Sequence, residues 1–192
     1  SFEPKLAPMP VAKKAVAFSA IAALSTATIL PVLAQATISG AGASFPAPIY
    51  QRWFADYAKT KGGSQVNYQS VGSGAGVRQY VAGTVDFGAS DEPIKDKEAA
   101  KVSRGVVQIP MVGGSIAVAY NKPGCELKLT QKQVADIFLG NITDWKALKC
   151  AAGPISVAHR SDGSGTTFAF TNSLSTFSPE WKSKVGEGKS VQ

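Results

Sequence analysis

Histidine is almost absent from this chain: His159 is the only one in 192 residues. With a single imidazole there is no Cys/His cluster of zinc spacing, and no general base is apparent beside a candidate nucleophile. His159 itself reads as a residue of a strand. Charge is also sparse. Asp, Glu, Lys and Arg make up 17% of the chain, with a formal net charge of +7 and no basic block of the kind that tracks a phosphate backbone. Aromatic residues are not interleaved with a basic stripe, which argues against nucleic acid as a partner. No Gly-rich loop between a candidate strand and a candidate helix continues into G-K-[ST], and none has G-x-G-x-x-G spacing, so P-loop and dinucleotide sites are excluded. No metal and no cofactor are expected.

There is one long hydrophobic run, and it lies at the start. Lys13 and Lys14 precede the apolar stretch Ala15–Leu33, which is interrupted by small polar residues and by Pro31, and Ala34-Gln35-Ala36 follows. A basic pair, an apolar segment and an A-x-A site read as a secretory signal. A membrane anchor is the rival reading, which Pro31 and the small residues disfavour. Met9 reads as the translation start, with residues 1–8 upstream of it. Residues 1–36 are therefore set apart from the fold. They hold three Lys and one Glu, so the remainder carries a net charge of +5, mild and suited to an anion. Export also bears on Cys125 and Cys150. An even cysteine count in an exported chain suggests a disulfide, which would close a loop of about 25 residues and contribute roughly 3 kcal/mol. Two free thiols are the alternative.

From Thr37 onward the pattern is strand, Gly/Ser loop, helix, repeated. Thr37–Ser44 is a β-like entry. Pro46 and Pro48 open a helix whose Ile49, Trp53 and Tyr57 fall on one face, and Gly62 and Gly63 end it. Residues 65–71 alternate as a strand, followed by a helix from about Val77 to Ala82. Residues 85–90 form a short strand, and 94–103 a solvated helix. Two β-rich runs, 106–112 and 115–121, come next, with Pro110 demoting the first to an edge. Thr130 and Gln133 form a capping box for a helix to Leu139, with Gly140 just past its end. Residues 155–160 read as another strand, leading into a helix that carries Phe168 and Leu174. Such alternation predicts an α/β fold with mostly parallel strands. In open sheets of that kind, ligands gather at the carboxyl ends of the strands.

Three loops stand at those ends: GAGASFPAP (40–48), VGSGAGV (71–77) and RSDGSGTTF (160–168). Each offers hydroxyls and Gly-exposed amides at a helix start, where unpaired N–H groups and the helix dipole favour an anion. Singly each is an ordinary turn composition, and Ser44 and Ser73 could simply form turns. Arg160 adds a planar, permanently charged donor pair suited to an oxyanion.

The segments GAGASFPAPIYQRW, NYQSVGSGAGVRQYVAGTVDFGASDEP and RSDGSGTTFAFT, with IFLGNITDW (137–145) and EWKSKVGEGKSV (180–191), resemble the PstS family of phosphate-binding proteins of ABC importers, in order and at similar separations. That resemblance implies a fold of the periplasmic-binding-protein type II class, two lobes with a ligand cleft, the second lobe incomplete in this chain. It places the first lobe at 37–110 and the second at 111–192. The implied activity is capture of inorganic phosphate and its delivery to ABC permease subunits in the membrane, by a monomer in the periplasm that is not an enzyme. A secreted phosphatase-like enzyme of related fold is the alternative, and another protonated oxyanion such as arsenate suits the same motifs. The phosphate ligands implied are Ser44, Phe45, Ser73, Asp91, Arg160, Ser164, Gly165 and Thr166, with Asp162 holding Arg160. Asp91 carries the selectivity. A carboxylate facing an anion is tolerated only across a shared proton, which protonated phosphate has and sulfate lacks. Asp91 could instead cap the turn that follows it.

Overall fold

The computed structural model describes residues 37–191, so the expected export leader lies outside the described residues. The chain opens with β1 (Thr37–Gly42), α1 (Ala47–Tyr57), β2 (Gln65–Ser70), α2 (Ser73–Val81) and β3 (Phe87–Ala89), and then a single turn of helix, α3 (Asp96–Ala99). The three strands form one parallel sheet in the order β2-β1-β3. Parallel strands need a crossover, and helices α1 and α2 supply both. The register pairs Gly42 with Ser70 on one side and with Ala89 on the other. All three carboxyl ends therefore open on the same edge. The chain leaves β1 to one side for β2 and returns to its other side for β3, so the strand order reverses at β1.

Small residues set how closely these layers approach. A Cβ at Gly40 would collide with the ring of Phe87, and one at Gly76 with the backbone of Ala41 and Gly42. Strand β1 is thus covered by an aromatic ring on one side and by the backbone of α2 on the other. Ala41, Ala43, Ala47, Val77 and Val85 are buried there. Tyr50, Phe54, Tyr68 and Phe87 form a chain of ring contacts with centroids 5.3–6.0 Å apart, the spacing at which aromatic pairs add to area burial.

The second half holds α4 (Gln131–Phe138), a 3₁₀ turn (Trp145–Leu148), α5 (Gly165–Phe177) and α6 (Pro179–Lys184). Thr130 caps α4, accepting from the Gln133 N–H while Gln133 accepts from the Thr130 N–H. Ala135, Leu174 and Trp181 form a core, flanked by Phe138, Phe170, Phe177 and Val185. Cys125 and Cys150 are joined in a disulfide with their Cα atoms 5.4 Å apart.

Three expected strands and one expected helix do not form as read. Residues 106–112, 115–121 and 155–160 contain no strand; nearby there is only an isolated bridge between Asp144 and Pro154. β-propensity expresses fit to a pleated, half-buried surface, and among the described residues no ladder runs beside these stretches. Val107, Ile109 and Met111 stay exposed, at 84%, 69% and 58%. The helix expected over 94–103 contracts to α3 and a following turn, because a short, charged segment gains little from packing. The helix carrying Ile49, Trp53 and Tyr57 forms as expected, and that face is exposed. Trp53 and Tyr57 line a cavity of about 1120 Å³ together with residues of 107–117, while Ala47 and Tyr50 are the buried residues of that helix.

Candidate functional site

Because the sheet is parallel, the segments leaving β1, β2 and β3 deliver Ser44, Ser73 and Asp91 to one edge. Gly72 makes the turn from β2 into α2 with φ +83°, a conformation that favours glycine, and a Cβ there would strike the Asp162 carboxylate. That close approach brings in the third loop. The Gly74 N–H donates to the Gly163 carbonyl at 2.8 Å, stitching the start of α2 to the turn before α5.

Arg160 lies on that turn. Its Nε donates to Asp162 Oδ1 at 2.5 Å, and Nη2 donates to the other oxygen, Oδ2. Both carboxylate oxygens thus grip one edge of the guanidinium, which holds Asp162 below the usual carboxylate range and raises Arg160. The remaining Nη1 donates to Ser44 Oγ at 3.0 Å, across 116 residues of sequence. The cation is consequently fixed in plane and aimed at the β1 loop.

Helix α5 begins at Gly165. Ser164 caps it, its buried Oγ accepting from the Thr167 N–H at 3.1 Å. Gly165 lies so close to Asp91 and Ser73 that a Cβ would stand 2.5 Å from both Asp91 Oδ2 and Ser73 Oγ. Ser73 is fully buried and its hydroxyl accepts from the Asp91 N–H at 3.3 Å. Ser90 closes the same turn, its Oγ donating to the Glu92 carbonyl at 2.6 Å and accepting from the Glu92 N–H at 3.1 Å. Asp91 therefore faces the positive end of a 13-residue helix. Burial pushes its carboxyl above the ordinary Asp value, and the Arg160 charge pulls the other way. Phe45, Ser90, Asp91 and Thr166 open onto the large cavity.

The structure thus draws Ser44, Ser73, Asp91, Arg160, Asp162, Ser164 and Gly165 into one contact network, with Phe45 and Thr166 at the cavity it borders. This arrangement can bind a small oxyanion: one fixed cation, hydroxyls, the N–H groups at the head of a helix, and one carboxylate that demands a proton. Sequence reasoning missed Gly72 and the Gly74–Gly163 contact as organising elements, though the spacing of glycines in VGSGAGV was the visible sign. Glu92 and Lys189 were also passed over. Glu92 is 3% exposed, and nothing in D-E-P marks it as buried.

A family model described as a PBP superfamily domain matches residues 31–190. The chain belongs to the PBP superfamily. It is 49% identical over 176 residues to the phosphate-binding protein PstS of Haemophilus influenzae, covering 85% of this chain and 52% of that protein. To the phosphate-binding protein PstS of Methanocaldococcus jannaschii it is 39% identical, covering 78% of this chain and 43% of the relative. The chain spans about half the length of the curated relatives it matches. Among solved structures, a candidate phosphate ABC transporter substrate-binding protein from Clostridium perfringens with bound phosphate aligns at TM-score 0.55 and 27% identity, covering 71% of this chain and 55% of that one. An ABC-type phosphate transport receptor from Vibrio cholerae shares the fold at TM-score 0.51 and 24% identity, with the same coverage.

Proposed function

We propose that this chain carries the ligand-binding motifs of an extracytoplasmic receptor that captures inorganic phosphate and passes it to an ABC import permease, without breaking a bond. The lobes are assigned to 37–110 and 111–192, and the protein is assigned to the periplasm as a monomer. The names of the relatives at 39–49% identity support phosphate as the ligand. The observation that carries the reading is the Arg160 guanidinium, held on one edge by Asp162 and joined on the other to Ser44, beside the start of α5.

In this reading the free donor capacity of Arg160 meets one pair of phosphate oxygens. Hydroxyls of Ser44, Ser73, Ser164 and Thr166 and backbone N–H groups of Phe45 and Gly165 take the others. Asp91 accepts a hydrogen bond from the phosphate O–H. The surroundings of Asp91 suit that role. The Arg160 charge opposes the upward pull of burial on Asp91 and favours its ionised form, which accepts from a ligand O–H and repels a fully ionised oxyanion. Sites that need a ligand O–H reject analogues lacking it by about 10⁴–10⁵.

Isothermal titration of the 192-residue chain with phosphate and then sulfate tests this. Saturable phosphate heat with no sulfate heat is the expected result. Equal affinity for the two anions, or no phosphate binding, would overturn it.

A further inference from the structure

Beside Asp91, the Glu92 carboxylate is almost fully buried, its side chain 4% exposed. Its Oε2 lies 2.7 Å from the Nζ of Lys189, whose side chain is itself 17% exposed, while Lys95 reaches Oε1 only from the surface, at 3.5 Å. Lys189 belongs to the segment after α6, and that segment is anchored along α5. Buried Thr171 accepts through Oγ1 from the Gly188 N–H at 3.1 Å, and its one proton lies between the carbonyls of Phe168 at 3.1 Å and Gly188 at 3.3 Å. Trp181 Nε1 donates to the Gly186 carbonyl at 2.8 Å. Most directly, the Lys189 carbonyl accepts from the N–H of Ser164 at 2.9 Å, the residue that caps α5.

One residue therefore holds both sides of the site. Lys189 grips the turn carrying Asp91 through its ammonium, and the head of α5 through its carbonyl. A buried ion pair is a poor source of stability, since removing two charges from water offsets much of their attraction, but it fixes geometry where both partners are held. We propose that the Glu92–Lys189 pair is a clip that positions Asp91 against the N-terminus of α5. Glu92 and Lys189 are positioning residues for the oxyanion site, acting through Asp91 and Ser164 without touching the ligand. The inference rests on the phosphate-site reading above for its ligand, and on geometry alone for the clip.

The test compares Glu92→Gln, Lys189→Met, the double variant and Lys189→Arg with the parent chain. Two readouts are taken at a temperature where each variant is folded: amide hydrogen exchange over 160–168 and 89–93 without ligand, and phosphate affinity by titration. Each single variant is expected to speed exchange in both segments and to weaken phosphate binding about tenfold, a size typical of residues acting through a packed network. The double variant is expected to lose no more than either single, as coupled partners do, and Lys189→Arg to restore both readouts. Unchanged exchange at 160–168 in the single variants overturns the clip. So does a lower melting temperature with unchanged affinity, which would mark the pair as structural only. If the parent chain binds no phosphate, the phosphate reading fails while the exchange comparison still decides the clip.

Discussion

Gly165→Ala puts one methyl group where the site has no room. Gly165 does not have the left-handed backbone that would bar a side chain, so alanine can adopt the same conformation. Its Cβ would stand 2.5 Å from Ser73 Oγ and from Asp91 Oδ2, against about 3.4 Å for ordinary contact. Close to 1 Å must be found. Ser73 is fully buried and fixed at the first residue of α2, so it has nowhere to go. Asp91 is held less tightly and yields first. Alanine is favoured over glycine in a helix by up to about 1 kcal/mol, whereas overpacking costs about 1–3 kcal/mol, so the net loss of stability is at most about 3 kcal/mol. Ligand affinity suffers more, because a misplacement of about 1 Å in a preorganised site costs on the order of 100-fold. Paired thermal melts and phosphate titrations separate the two effects. A folded Gly165→Ala protein that binds phosphate within twofold of the parent would refute both the packing argument and the role given to Asp91.

Other outcomes follow from the same geometry. Asp91→Asn is expected to weaken phosphate binding about 10–100-fold, the worth of a hydrogen bond to a charged group, and to narrow the preference over sulfate, both read by titration. The same change should raise the melting temperature of the unliganded protein near neutral pH. A carboxyl raised by burial contributes its stability below its unfolded-state pKa and loses it as pH rises through the folded value, so the gain from asparagine appears above that range and vanishes in acid. Arg160→Lys keeps the charge but loses the paired bonds to Asp162 and the bond to Ser44; phosphate affinity should drop at least tenfold. Replacing Cys125 and Cys150 with Ser is expected to lower unfolding stability by about 3 kcal/mol in denaturant titrations.

Much of the site could be read before any coordinates. SDGSGTT and VGSGAGV advertise helix starts through their Ser, Gly and Thr content, and parallel pairing then forces their convergence with Ser44 and Asp91. Other features were hidden for physical reasons. Whether SIAVAYN becomes a strand depends on a neighbour with matching N–H and C=O groups, which no local pattern encodes. The α1 face carrying Trp53 and Tyr57 has a helical period whether it meets a core or lines a cavity. The Glu92–Lys189 pair joins residues almost a hundred positions apart that resemble ordinary surface charges.

The hydrogen bond from Arg160 to Ser44 spans 116 residues. A link of such long range carries a closure entropy that one hydrogen bond does not offset, so it persists only with the intervening sheet and helices in place. An oxyanion seated on that link is therefore a reporter of completed assembly: at a hundred times its dissociation constant it would add about 2.7 kcal/mol to the folded state. Abundance of the anion would then govern how long the protein survives proteases, as well as how often its site is full.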